Sequence, residues 1–204
     1  MPNIKAQVAM PYDLKKCVEF HGHLCPGLVY GYRVAKEAIR LMDLGHSIDE
    51  EIVAVCENDS CAIDALQILL GTTAGKGNLI IQNVGKNAYT LLNRSTGKAY
   101  RFARKIAYQY KGDLKKEFDC LETSIKNGTA SEEARQYFKR LKAMDLLICP
   151  FEELFTMTEE VSEAPSYATI SSSIACTICG EMTMASKMVT SKNGQQICIP
   201  CSEK

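Results

Sequence analysis

Residues 78–104 read NLIIQNVGKNAYTLLNRSTGKAYRFAR. Three runs in this stretch, 78–84, 88–93 and 98–104, are rich in β-branched and aromatic residues, and Gly85 and Gly97 punctuate them. Neighbouring strands joined by short turns predict an antiparallel meander. Upstream, residues 52–56 form a short β-branched run that reads as one more strand. Apolar residues at three- and four-residue steps predict helices around it. Asp13 is placed to cap a helix over 14–20, and Pro26 suits the first turn of the next, which runs toward Gly45 on Leu28, Tyr32, Ala35, Ile39 and Met42. Ser60 is placed to cap a third helix that stops at Gly71. Downstream, 113–126 and 131–144 read as two more helices joined at Asn127-Gly128. The expected fold class is α+β, with helices packed on an antiparallel sheet rather than a parallel βαβ array, plus a small C-terminal zinc finger.

Residues 156–173 are polar, with Glu159, Glu160, Glu163, Pro165 and three consecutive serines, and read as a linker. The expected organisation is therefore a core over 1–155, the linker, and a finger over 174–204. The finger carries Cys176-x-x-Cys179 and Cys198-x-x-Cys201, with Asn193-Gly194 as a hairpin turn between them. Two such knuckles can give four thiolates to one tetrahedral structural zinc, and so short a segment needs the metal to fold. Disulfides would require an oxidising compartment.

Ten cysteines without a charged-then-apolar leader in 1–10, and no run approaching the ~20 apolar residues of a membrane span, point to the cytoplasm and away from membranes. The 24 basic residues balance 24 acidic ones, which disfavours a general nucleic-acid binder. The finger is near neutral too, with Lys187, Lys192 and Lys204 against Glu181 and Glu203, so a protein partner suits it better. The basic, aromatic stretch 94–116 reads either as a polyanion site or as a solvated face of strand and helix.

The chemistry concentrates near the N-terminus. Two of the chain's three histidines, His21 and His23, flank one glycine and are followed by Cys25. In an extended segment their side chains leave on one face; in a helix His21 and Cys25 still meet at an i, i+4 step. Pro26 pushes Cys25 to the N-cap of the next helix, where the macrodipole favours a thiolate, and Cys61 repeats that logic. His21, His23 and Cys61, with Cys25 as ligand or neighbouring thiolate, suit a second zinc or another transition metal. Asp64 and Gln67 share a helix face and suit support of ligating histidines. The alternatives are a small buried hydrophobe for each cysteine and ordinary hydrogen bonding for the histidines. Cys56 reads as core, while Cys17, Cys120 and Cys149 are assigned no chemistry. Residues 71–78, GTTAGKGN, miss the phosphate-loop pattern by one residue and by Gly77 in place of Ser or Thr. They read either as a cradle for an anionic group or as a plain connection.

Phe20-His21-Gly22-His23-Leu24-Cys25-Pro26-Gly27, Gly31-Tyr32-Arg33, the run from Glu57 to Gln67 (ENDSCAIDALQ) and Gly75-Lys76-Gly77-Asn78-Leu79 together resemble the formylmethanofuran dehydrogenase FmdE family over about the first 105 residues. The four-cysteine finger resembles the treble-clef module that some members carry. The resemblance implies an α+β core, a homodimer, and a functional role for His21, His23, Cys25 and Cys61. It also implies a link to molybdenum- or tungsten-dependent C1 chemistry and methanogenesis. Many relatives have a cysteine where this chain has Thr72. Three functions follow as expectations: a metal-binding accessory or redox-linked protein of C1 or molybdoenzyme metabolism, a zinc-finger interaction module, and a thiol redox protein that uses Cys25 and Cys61 as its catalytic pair.

Overall fold

The computed structural model describes residues 10–105, 108–160 and 164–203. The chain divides into two compact units, Met1–Ser166 and Tyr167–Lys204. The expectations for 1–9, Glu163 and Lys204 lie outside the described residues.

The first unit opens with α1 (Tyr12–His21) and α2 (Pro26–Met42), followed by β1 (Ile52–Cys56), α3 (Ala62–Leu70) and β2 (Leu79–Ile81). Then come β3 (Ala88–Asn93), β4 (Ala99–Arg104), α4 (Lys115–Lys126), α5 (Glu132–Ile148), the one-turn α6 (Phe151–Leu154) and β5 (Phe155–Glu160). The fold is α+β, as expected, but the sheet is mixed. Its order is β2-β1-β3-β4-β5, with β1 and β2 parallel and every other pair antiparallel. The meander therefore covers only β3 and β4. β2 leaves it for the far side of β1, and α3 supplies the long crossover that a parallel pair requires, which makes one βαβ unit.

The predicted linker begins too early: residues 155–160 are β5, an edge strand paired to β4 from Ala99↔Glu160 to Arg104↔Phe155. Strand alternation sorts the sheet. Ile52, Ala54, Cys56, Tyr89, Leu91, Phe102 and Phe155 join the main core with α2 and α3, while Val53 and Leu92 belong to a smaller cluster with Ala99.

Two helix starts differ from expectation. The N-cap of α1 is Pro11, and Asp13 instead accepts hydrogen bonds from Tyr32 Oη (3.0 Å) and Lys36 Nζ (2.8 Å), which tie α1 to α2. Ser60 precedes the α3 N-cap, Cys61, and its hydroxyl meets Tyr89 Oη at 3.2 Å.

The closest helix contact is made by two glycines one turn apart on α2. A Cβ on Gly31 would overlap the Ala62 carbonyl, and one on Gly27 would lie 3.0 Å from Cys61 Cβ. The first turn of α3 therefore sits directly on α2, bringing Cys61 and Asp64 to the α2 N-terminus. Arg33 secures the end of α5, donating to the carbonyls of Leu146 (2.6 Å), Leu147 (3.0 Å) and Cys149 (2.7 Å).

In the second unit β6 (Ser173–Ala175) pairs with β7 (Met182–Met184), and β8 (Met188–Thr190) with β9 (Gln196–Cys198), both antiparallel; α7 (Ile199–Ser202) follows. The β8–β9 turn closes through Ser191 N–H to Gln195 O (2.9 Å), with Gly194 at φ 80°, as the Asn-Gly pair predicts.

Candidate metal centres

The finger cluster is the simpler of the two. Cys176, Cys179, Cys198 and Cys201 place their sulfurs within 4.8 Å of one another. Cys179 Sγ and Cys198 Sγ are 3.8 Å apart. A tetrahedral zinc with Zn–S bonds of ~2.3 Å requires sulfurs about 3.8 Å apart, so these thiols already stand at ligand spacing. The first knuckle lies between β6 and β7 and the second runs from β9 into α7. Backbone N–H groups of Cys179 and Cys198 hold the Cys176 thiol down to about 6, so it reaches the ligand form readily.

The second cluster is built where α1 ends. His21 is the last residue of α1, and Gly22, at φ 91°, turns the chain in a conformation that favours glycine. Cys25 follows in extended geometry as the N-cap of α2, its sulfur accepting from Leu28 N–H at 3.3 Å. His21 and Cys25 thus meet across a helix end and a turn rather than along one extended run. His21 Nδ1 lies 2.7 Å from Asp64 Oδ2 on α3, and Gln67 Nε2 donates to Asp64 Oδ1 at 3.2 Å. That leaves His21 Nε2 facing Cys25 Sγ at 3.6 Å. Bond lengths of ~2.0–2.1 Å to nitrogen and ~2.3 Å to sulfur at a tetrahedral metal give nearly the same separation, about 3.5–3.6 Å. The ring of His23 lies 4.7 Å from that of His21, and donor atoms of His21, His23 and Cys25 all fall within 4.8 Å. His21 is largely covered, Cys25 is buried and His23 is exposed, so the cluster opens to solvent on the His23 side. The carboxylate on one ring nitrogen, with a thiol facing the other, is the arrangement by which proteins orient a ligating histidine.

Cys61 stands beside this group rather than within it. Its sulfur and that of Cys25 flank Gly27, where a Cβ would lie 3.7 Å from Cys61 Sγ and 3.8 Å from Cys25 Sγ. Burial pushes the Cys25 thiol above its ordinary value, against the Leu28 N–H, so the helix end alone does not make it a thiolate. Cys56 is fully buried, and burial pushes its thiol up to about 12, which removes it from thiol chemistry as its place in an apolar strand suggests. Cys17 is likewise core.

The glycine-rich loop is structural. Lys76 Nζ donates to the Ser47 carbonyl at 2.9 Å, and Asn78 Nδ2 donates to the carbonyls of Asp49 (3.1 Å) and Ile52 (2.8 Å). The basic stretch is largely internally bonded: Arg101 makes two hydrogen bonds to Glu57 (2.6 and 3.0 Å), Lys105 donates to the Glu152 carbonyl and Lys111 pairs with Glu153.

Among known proteins, a curated Archaeoglobus fulgidus protein described as "Probable S-adenosyl-L-methionine-binding protein" is 30% identical across 93% of this chain. The chain spans about half of that relative, 52% of its length. A solved structure of a tungsten formylmethanofuran dehydrogenase FmdE-like protein from Syntrophus aciditrophicus shares the fold with a TM-score of 0.58. It is 21% identical and covers 93% of this chain and 89% of its own. The family model described as "FmdE, Molybdenum formylmethanofuran dehydrogenase operon" matches residues 20–156. With the His-Gly-His-x-Cys cluster, the Asp64 support and both helix N-termini inside that span, the chain belongs to the FmdE family.

Proposed function

We propose that this FmdE-family chain is a metal-binding accessory component of C1 or molybdoenzyme metabolism. In this reading a transition metal, zinc foremost, occupies His21, His23 and Cys25, and a structural zinc occupies the four finger thiolates. The observation that carries it is the line Asp64–His21–Cys25: a carboxylate fixes one ring nitrogen, and the other faces a sulfur at the 3.6 Å separation a metal requires. Three protein donors leave a fourth position, which Cys61 or an incoming oxygen or sulfur ligand can take. A metal bound there would supply Lewis-acid polarisation of that ligand.

Loading the full chain anaerobically with Co2+ separates the two donor sets by their visible spectra. A mixed nitrogen–sulfur spectrum that vanishes in His21→Ala, leaving an all-thiolate one, supports the core site. An all-thiolate spectrum alone in the wild type would sink it. Elution with molybdenum or tungsten from native cells supports the accessory role, and elution free of both argues against it. The name of the Archaeoglobus relative makes S-adenosylmethionine a candidate C1 ligand, testable by equilibrium dialysis with the labelled compound.

The proximity of Cys25 to Cys61 favours a second reading, a dithiol–disulfide couple exchanging two electrons and two protons with an external thiol partner. A Cys25–Cys61 disulfide in the oxidised protein, with no core metal in the reduced one, would move the assignment there. The proposal includes a reducing cytoplasm, a homodimer and a protein partner for the finger; sedimentation equilibrium measures the dimer directly.

A further inference from the structure

Beside the thiol pair lies a cavity of about 170 Å³ between the N-terminus of α2 and the C-terminal end of β4. Gly27, Tyr30, Ser60, Tyr89, Arg104 and Lys142 line it. A Cβ on Gly27 would lie 3.7 and 3.8 Å from the Cys61 and Cys25 sulfurs, and Ser60 precedes Cys61, so this wall adjoins the candidate metal centre.

The charge balance of this cavity is incomplete. Arg104 and Lys142 both face it, and among the described residues neither has a carboxylate within ion-pair distance. The guanidinium of Arg104 rests over the Tyr30 ring, 5.2 Å from its centroid, and the Lys142 ammonium over Tyr108 at 4.7 Å. Both cations lie over aromatic faces, with Glu122 acting on Lys142 only from beyond ion-pair distance, so an entering anion would complete their charge. A second observation is independent of charge. Tyr30, a lining residue only 7% exposed overall, makes no side-chain hydrogen bond among the described residues. Its hydroxyl is therefore available to donate to a group that enters the cavity. By contrast the Tyr89 hydroxyl is engaged by Ser60 and Asn58 (3.2 and 3.4 Å), which makes that wall rigid. A wider hollow shares Asn87 and Arg104 with the cavity; its Arg101 is paired with Glu57, and Lys86 and Lys105 carry the remaining positive charge of its lining.

From this we infer that the cavity binds the anionic end group, a carboxylate or phosphate, of a small ligand whose remainder faces Cys25, Cys61 and the histidines. Arg104 and Lys142 neutralise the charge, Tyr30 Oη donates to an anion oxygen, and the N-terminus of α2 adds its positive field. At about 170 Å³ the cavity holds an end group and not a whole nucleotide-sized ligand, for which pockets begin near ~300 Å³. Burial, together with the neighbouring Arg104, lowers the Lys142 ammonium pKa, a penalty that a bound anion relieves.

The inference rests on the metal-centre reading only for where the ligand's remainder points, and the test separates the two. Full-length protein is titrated with acetate and with inorganic phosphate at constant ionic strength, balanced by chloride, and followed by calorimetry and by the rise in melting temperature. Saturable binding is expected, weakened at least ~10-fold by Lys142→Gln or Arg104→Gln and several-fold by Tyr30→Phe, which preserves the packing. Acetate binding tighter than phosphate identifies a carboxylate end group, and the reverse order a phosphate. In His21→Ala, which strips the core metal site, binding should stay within ~2-fold, so the cavity stands or falls independently of the ion. Equal affinity in wild type, Lys142→Gln and Arg104→Gln, or an equal response to chloride alone, would overturn the inference.

Discussion

Asp64 does for His21 what no feature of the motif does alone: it determines which ring nitrogen is left for a metal. Substituting Asp64→Asn keeps the shape but weakens the acceptor, and core metal affinity should fall ~10–100-fold by competition with a chromophoric chelator. A change below twofold would mean that the 2.7 Å contact orients nothing of consequence. Thr72 makes a separate point. Its hydroxyl is buried without a partner among the described residues. Thr72→Val should therefore stabilise the fold by about 1 kcal/mol in urea denaturation, and clear destabilisation would reveal an unseen partner. The histidines and Cys25 were legible in the sequence because they crowd around one glycine. The roles of Arg104 and Lys142 were not, because β4 and α5 bring them beside Tyr30 and the α2 N-terminus from distant parts of the chain.

Helix contact is what assembles the site. Gly27 and Gly31 let the first turn of α3 rest against α2, and every residue on that turn inherits its place from them. Gly31→Ala forces a methyl into the Ala62 carbonyl and should cost about 3 kcal/mol or more in a denaturant melt. Gly27→Ala presses on Cys61 Cβ at 3.0 Å, so its effect should fall on the spacing of Cys61 from Cys25, seen as a slower rate of disulfide formation on oxidation, with a smaller loss of stability. An unchanged melt for Gly31→Ala would mean that the two helices separate freely. Helical periodicity and the Gly71 stop made α2 and α3 readable within a few residues. β5 was not readable because it is an edge strand: Thr156, Met157, Thr158 and Glu159 are exposed, which removes the apolar cue and leaves a composition like that of a linker. β2 was read as a strand and assigned the wrong neighbour, since nothing local in three residues distinguishes a hairpin partner from the far side of β1.

For the whole molecule, the two units are expected to depend on metal differently. The finger buries few side chains, chiefly Cys176, Ile197 and Cys198, so its ordering is expected to depend on an ion; the first unit has an extensive apolar core. A strong chelator should abolish amide protection in β8 and β9 while β1 and β3 stay protected, as read by hydrogen exchange. Persistent protection in β8 and β9 after chelation would show that the finger folds without metal. The same difference explains why the finger is plain in sequence and the core site is not: four cysteines in two knuckles declare one ion, whereas His21, His23 and Cys25 declare one only when Asp64 arrives from α3.

Metal content of the anaerobically purified full chain, measured by elemental mass spectrometry beside a His21→Ala/Cys25→Ala variant, tests the core centre most directly. Two ions per chain in the wild type, one of them lost in the variant, are expected. A single ion per chain in both, retained by the four finger thiolates, would contradict the core metal centre and leave Cys25 and Cys61 as a thiol pair.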